Sequence, residues 1–196
     1  MSESLPLFPL QTVLFPDAGL PLRIFESRYI DMVRDCMRAG HGFGVVARFS
    51  GDDETAPWHA RIGTEALITD FATLEDGLLG LQTRGQRRFV VEATRAREDG
   101  LLLGEIEWLA PEPARPIAAR HGALQTLIHE LLRHQELAAQ LQVDPDNATS
   151  LGFALASILP LDLGQAQQLL EIMDPAERLD ALLPLVEQAA VRSEDN

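Results

Sequence analysis

The chain has 196 residues, of which 46% are hydrophobic and 23% are charged, and its formal net charge is −14 at pH 7. This size and composition are ordinary for a globular protein and leave room for one large or two small domains. The acidic charge disfavours nucleic acids and anionic membranes as partners, because such partners are held by clusters of Lys and Arg.

The basic residues and the single cysteine exclude several classes of site. All 16 basic residues are arginines, so the chain contains no lysine. P-loop nucleotide binding, Ser–Lys hydrolysis and Schiff-base chemistry each require a lysine amine, and none of them is expected here. Because Cys36 is the single cysteine, an internal disulfide and a cysteine-based metal cluster are excluded as well.

Residues 5–29 read LPLFPLQTVLFPDAGLPLRIFESRY and are unusually apolar. A membrane helix or a secretory signal would need an unbroken apolar run, and a signal also needs a basic N-terminal region. Here the run is interrupted by Gln11, Thr12 and Asp17, and the first positive charge is Arg23. We therefore expect a cytoplasmic protein of bacterial type.

The prolines of this stretch favour short strands joined by tight turns, because proline is tolerated in turns and at sheet edges but not inside a helix. Strands are predicted near residues 7–8, 12–15 and 20–24. The PDAG segment at 16–19 has the composition of a β-turn, in which Gly19 is free to adopt a positive φ.

A helix is predicted next, within residues 26–40, and Gly40 is its stop signal. Apolar residues recur there at intervals of three and four, as in a helix with one buried face. They are Tyr29, Met32, Val33, Cys36 and Met37.

Segments with strand character follow, separated by turn clusters such as RGQ at 84–86. They are residues 42–49, 60–71, 78–83, 87–94 and 101–109. Short strands about ten residues apart predict a small antiparallel barrel or sandwich.

The pattern changes at residues 110–116, APEPARP, which form a stiff proline-rich connector. Helices are predicted beyond it at 117–131, 146–159, 162–173 and 174–192. Asp162 and Gln165 have capping-box spacing, and Pro184 is expected to bend or divide the last helix. The sequence thus predicts an α+β protein with a β-rich domain at 1–110, which includes one helix, and a helical bundle at 111–196.

No pattern of residues points to catalysis, a metal or a cofactor. His129 and His134 in HELLRH are five residues apart, or about 140° around a helix, so one metal ion does not reach both. The glycines of GHGFGVV at 40–46 follow a helix and enter a strand, which is the reverse of a dinucleotide-binding turn. We expect a non-enzymatic protein without cofactors, with an enzyme of unknown type as an alternative.

The motifs, taken in order, resemble the N-terminal substrate-binding domain of the Lon ATP-dependent protease. The opening stretch resembles the family's PLFPL…VLFPG…LPL pattern followed by IFEPRY. Later blocks also match in order; they are GFGVV at 42–46, IGTEALI at 62–68, DGLLGLQTRGQRRFVV at 76–91, LGEIEWL at 103–109 and the helical segment 151–186. The resemblance covers nearly the whole chain.

The resemblance implies a PUA-like antiparallel β-barrel followed by a C-terminal helical bundle. Full-length Lon carries an ATPase module and a Ser–Lys protease module beyond this domain, and 196 residues leave no room for either. The expected function is that of a stand-alone Lon-type module. It would bind unfolded or flexible, apolar segments of client proteins, or act as an adaptor in proteolysis with a protease or chaperone as a partner, and would not bind nucleic acid or a membrane.

Four residues near the junction of a strand and the first helix are candidates for peptide binding: Leu20, Phe25, Arg28 and Tyr29. In the alternative interpretation, Phe25 and Tyr29 are core residues and Arg28 is a structural ion-pair partner. A second alternative is RNA binding, because PUA-like barrels occur in RNA-binding proteins and RGQRRF at 84–89 resembles a basic loop. The acidic charge of the chain argues against it.

Overall fold

A computed structural model describes residues 3–51 and 58–194. The chain divides into two compact units, Met1–Ala110 and Pro111–Asn196. In its described residues, the first unit consists of β1 (Glu3–Leu10), β2 (Gly19–Ile24), α1 (Ser27–Ala39), β3 (Phe43–Phe49), β4 (Trp58–His59), β5 (Ile62–Thr73), β6 (Leu79–Ala96) and β7 (Leu102–Trp108).

Strand β6 is 18 residues long and is the central strand of the first unit. Strand β5 pairs with it antiparallel from Leu79 to Val90, β2 pairs with Leu79–Arg84, and β7 pairs with Phe89–Ala96. The sequence predicted two strands here with a turn at RGQ, and that turn is absent. Pairing with β5 on one side continues through the glycine and outweighs the local turn signal.

Gly85 stands where β6 changes neighbours from β2 to β7. Its N–H donates to the carbonyl of Ala18 at 2.9 Å, and its carbonyl accepts from the N–H of Asp17 at 3.0 Å. A Cβ atom built on Gly85 would lie 2.1 Å from the carbonyl oxygen of Phe15. The backbone of the 15–18 turn can approach β6 this closely only because residue 85 has no side chain.

The α+β class predicted from the sequence is confirmed, but the β-rich unit is a sheet rather than a closed antiparallel barrel. Strand β1 divides its length between two neighbours. Residues Glu3–Leu7 pair antiparallel with β7, and Leu7–Leu10 pair with β3 in parallel. Each pairing therefore covers only part of β1, and one of the two is not antiparallel.

The opening segment departs from its prediction at two points. Residues 12–15 are not a strand, although Leu14 and Phe15 are buried. The positive φ of the following turn belongs to Asp17, at 62°, while Gly19 begins β2. Aspartate adopts this left-handed conformation more readily than most residues, so the turn does not require its glycine for it.

Helix α1 follows its predicted pattern closely. Gly40 ends it with a φ of 72°, and the buried face consists of Tyr29, Met32, Val33 and Cys36. Met37, which the periodicity also placed on that face, is exposed. The buried side chains join one core cluster with residues of the sheet, among them Phe8, Phe43 and Leu81.

The second unit is helical in its described residues. Its elements are a 3-10 helix (Ala119–His121), α2 (Gly122–Leu131), α3 (Gln135–Gln140), α4 (Ala148–Ile158), α5 (Leu163–Glu171) and α6 (Pro175–Glu194). The capping box of Asp162 and Gln165 is confirmed. Pro184 lies inside α6, which runs through it as one helix and is not divided.

A buried arginine holds three segments of the helical unit together. Arg178 on α6 is fully buried, and its guanidinium pairs with Glu112 at 2.9 Å. It also donates to the carbonyls of Leu169, at 3.1 Å, and Ile172, and lies 3.8 Å from the ring centre of Phe153. A desolvated charge is tolerated when its hydrogen bonds are satisfied, as they are here.

Replacing Gly85 by alanine should destabilise the β-rich unit by about 1–3 kcal/mol, because the new methyl group overlaps the Phe15 carbonyl. Both tryptophans, Trp58 and Trp108, lie in this unit, so urea unfolding followed by tryptophan fluorescence reports on it. Gly19→Ala is the matched control in the same unit, because the atom nearest to a Cβ there is the carbonyl oxygen of Thr83 at 3.9 Å, an ordinary contact distance. An unchanged fluorescence midpoint for Gly85→Ala would contradict the tight approach.

Replacing Arg178 by methionine should destabilise the helical unit by about 3–5 kcal/mol, because it leaves Glu112 buried without its cation. The double variant Arg178→Met/Glu112→Met removes both charges and should recover most of that loss. Urea unfolding followed by far-UV circular dichroism measures both. If the double variant were less stable than the single one, the pair would not be the source of the effect.

Candidate functional site

A groove of about 730 Å³ lies on the β-rich unit. Its lining comes from four short segments: Pro21–Arg23 of β2, Asp70–Ala72 of β5, residues 74–76 of the β5–β6 turn, and Gly80–Gln82 of β6. Cavities of about 300–1,000 Å³ are the size that proteins use to hold small ligands or side chains. We call this feature the β2–β5–β6 groove.

The strand register explains why these segments meet. Leu81 of β6 lies opposite Leu22 of β2 on one side and opposite Phe71 of β5 on the other. One residue along, Gly80 lies between Arg23 and Ala72. Strand β6 therefore forms the floor of the groove, with β2 and β5 on its two sides.

The apolar surface of the groove depends on two local irregularities. The pairing of β5 with β6 shifts register between Ile68 and Asp70, and beyond this shift Phe71 is 55% exposed. A Cβ atom on Gly80 would lie 2.7 Å from Leu74 Cδ2, so the missing side chain lets Leu74 lie against β6. A bulge changes the direction of the side chains next to it. Near this one, the large apolar residues Phe71 and Leu74 line the groove.

Carboxylates predominate among the charged residues of the groove. Of the described residues that line it, Arg23 is the one cation, and Asp70, Glu75 and Asp76 are the acids. Arg23 pairs with Asp76, which also accepts the N–H of Leu78 at 3.1 Å and so holds the turn. Asp70 accepts the neighbouring N–H of Phe71 at 2.8 Å. The groove combines an apolar surface with a net negative charge.

Strand β2 borders the groove and pairs, among the described strands, with β6 alone. Its other edge contains Pro21, which has no N–H to donate. Proline at a sheet edge limits the addition of another strand. A bound segment would therefore find few donors along this edge and a larger contact area in the groove itself.

Of the four predicted binding residues, Leu20 is the second residue of β2, Phe25 follows the end of β2, and Arg28 and Tyr29 lie in the first turn of α1. None of the four lines the groove. Phe25 is 70% exposed, whereas Leu20 is half-buried against the core. The Tyr29 ring is buried 4.1 Å from the ring centre of Phe8, and burial raises the pKa of its phenol. Of the four, Phe25 is the side chain most available to a partner.

Arg28 is engaged within the β-rich unit. Its guanidinium pairs with Glu26 at 2.6 Å, donates to the carbonyl of Gly100 at 2.9 Å and lies 4.8 Å from the centre of the Tyr29 ring. These contacts favour a structural role for Arg28. Sequence reasoning missed the groove because its residues come from strands distant in sequence, although a large apolar residue, Phe71, next to Asp70 and close to the acidic turn at 75–77 was a signal.

The arginines of RGQRRF do not form a loop, because residues 84–89 lie inside β6. Arg84 donates to the carbonyl of Asp17 at 2.9 Å, and Arg88 is buried. The guanidinium of Arg87 lies 3.9 Å from the ring centre of Trp108, and its Nε is 3.8 Å from Glu65. These internal contacts explain the basic run without an RNA partner.

Cys36 is buried in α1 and donates to the carbonyl of Gly42 at 3.5 Å. Burial raises the pKa of its thiol to about 11, which is the opposite of what a nucleophile requires. In residues 3–51 and 58–194, no three His, Cys, Asp or Glu side chains are grouped so as to hold a metal ion. Over the same residues, no helix has the length and apolar character to span a membrane.

Comparison with known proteins identifies a family. The model of the ATP-dependent protease La (LON) substrate-binding domain matches residues 4–188. The crystal structure of a Lon N-terminal domain protein from Xanthomonas campestris is 42% identical, with a TM-score of 0.80, and the match covers 93% of this chain and 98% of that chain. The N-terminal domain of Mycobacterium avium complex Lon protease, at 19% identity and a TM-score of 0.67, shares the fold over 94% of this chain and 98% of its own.

Full-length proteases match as well, over their corresponding part. The Lon protease of Xanthomonas oryzae pv. oryzae is 28% identical over 193 residues, which cover 93% of this chain and 23% of that protease. The Lon protease of Vibrio parahaemolyticus is 25% identical, with 93% and 24% covered. The chain thus spans about a quarter of the length of these relatives.

The thiol of Cys36 should react slowly in the folded protein. With a pKa of about 11, roughly one thiol in a thousand is ionised near pH 8, and the side chain is buried as well. Labelling with a chromogenic disulfide reagent should be at least about tenfold slower in buffer than in denaturant. Equal rates in the two conditions would show that the thiol is accessible.

Proposed function

This chain belongs to the ATP-dependent protease La (LON) substrate-binding domain family, and from that premise we propose that it binds exposed apolar segments of other proteins. The observation that carries the proposal is the β2–β5–β6 groove. Its lining includes the apolar residues Phe71 and Leu74, and Phe71 is 55% exposed.

Burial of apolar side chains would supply most of the affinity. Apolar surface contributes roughly 25 cal/mol per Å² on burial, and much of this is offset by the cost of ordering a flexible segment. Small contacts of this kind are reversible, with dissociation constants of about a micromolar or weaker. A net charge of −14 would favour encounters with basic segments, and salt would weaken that preference.

A place in proteolysis is part of the proposal. The relatives named above are Lon proteases, and a module that captures segments could pass them to a protease or a chaperone. These 196 residues contain no lysine, so we assign them neither ATP hydrolysis by a P-loop nor Ser–Lys proteolysis. Their role would be recognition.

The predicted surface at Phe25 is a second part of the same proposal. Phe25 follows β2 directly and is 70% exposed, so its ring offers apolar area that a partner would bury. It lies two residues from Arg23 of the groove. A segment held in the groove could extend along the chain toward Phe25.

Fluorescence anisotropy with three labelled peptides of equal length tests the proposed function. The peptides are basic–apolar, acidic–apolar and basic–polar. The basic–apolar peptide should bind most tightly, because it satisfies both the apolar surface and the acidic charge, and the acidic–apolar peptide should bind more weakly. Added salt should narrow the difference between them, since screening removes the charge preference.

Tighter binding of the basic–polar peptide, or of single-stranded RNA, than of either apolar peptide would contradict the proposed function. The first result would mean that charge alone determines binding. The second would support the RNA alternative, in spite of the internal contacts of Arg84 and Arg87.

A further inference from the structure

We propose that the β2–β5–β6 groove is the specificity site for one class of segment: an apolar side chain with a lysine or arginine a few residues away. The inference rests on the proposed function and names the site and the chemistry that it selects. The apolar side chain would contact the apolar residues that line the groove, and the cation would face Asp70 and Glu75.

The shape of the groove suits an apolar side chain. Leu81 is 2% exposed and joins the floor to the core, so the floor is rigid. Phe71, at 55% exposed, has apolar area that a partner could cover. The groove has a volume of about 730 Å³, which is enough for more than one side chain. A continuous bound segment would place several side chains there.

Carboxylates outnumber cations among the described residues that line the groove. Arg23 is already paired with Asp76, so it offers little to an incoming carboxylate. Within the part of the chain that the structure describes, neither Asp70 nor Glu75 has an arginine or histidine within ion-pair distance. A cation that enters the groove would meet two carboxylates, whereas an acidic side chain would be repelled by both.

The size of the preference follows from the exposure of these groups. An exposed ion pair changes affinity by a few fold, because water and salt screen it. Two such pairs beside an apolar surface should give the basic–apolar peptide an advantage of about tenfold over the acidic–apolar one at low salt.

Two matched double variants test the charge part. Asp70→Asn/Glu75→Gln removes the two groove carboxylates and leaves the Arg23–Asp76 pair intact. The control, Glu98→Gln/Glu105→Gln, changes the net charge by the same amount at exposed positions that do not line the groove. With the peptides above, the groove variant should lower the basic-to-acidic affinity ratio at least about threefold, and the control should leave it unchanged.

A second pair of variants tests the apolar part. Phe71→Ala should weaken both apolar peptides about fivefold or more without changing their ratio. Met37→Ala removes an exposed apolar side chain from α1, outside the groove, and should have no effect. Because all these side chains are exposed, the variants should keep the tryptophan-monitored urea midpoint of the parent, which the same samples can verify.

The outcomes separate the two proposals. If the parent binds neither apolar peptide, the proposed function fails, and the groove assignment fails with it. If the parent binds them and the groove variants behave like their controls, the proposed function stands and the groove is not the site. An equal drop in the ratio for both charge variants would show that net charge, and not the groove, determines the preference.

Discussion

Backbone pairing along β6 organises the β-rich unit, and the candidate site depends on it. One long strand pairs with β5 on one side and with β2 and then β7 on the other. The change of neighbour occurs at Gly85, where the 15–18 turn approaches the backbone too closely for any side chain. The floor of the groove is the segment of β6 before this glycine, because Leu79–Arg84 pair with β2 on one side and with β5 on the other.

The residues around that floor give the groove its apolar surface and its negative charge. Phe71 is exposed beyond the register shift in β5, and Gly80 makes room for Leu74. The turn between β5 and β6 adds carboxylates, one of which neutralises Arg23. An apolar surface with unmatched negative charge is suited to capturing segments by weak, salt-sensitive contacts. The family to which the chain belongs is described as a substrate-binding domain, and such a surface fits that description.

Features that depend on neighbouring residues were determined by the sequence alone. The glycine stop of α1 and the Asp162–Gln165 capping box involve contacts within a few residues and were predicted correctly, as was the buried face of α1 apart from Met37. The order of the motifs was sufficient to identify the family. The absence of lysine also followed from the sequence, and it excluded whole classes of catalytic chemistry without any knowledge of the fold.

Features that depend on partners distant in sequence were decided by the tertiary structure. A glycine between two polar residues indicates a turn, yet Gly85 continues a strand because it pairs with Ala66 of β5 and exchanges backbone hydrogen bonds with Asp17 and Ala18. Nothing in the helical pattern of α6 indicated that Arg178 would be fully buried, because its partner Glu112 lies 66 residues away. The exposure of Phe25 and Phe71 likewise depends on which surfaces other strands and helices cover. Periodicity shows which side chains share a face, but the packing of distant segments determines which faces remain open to a partner.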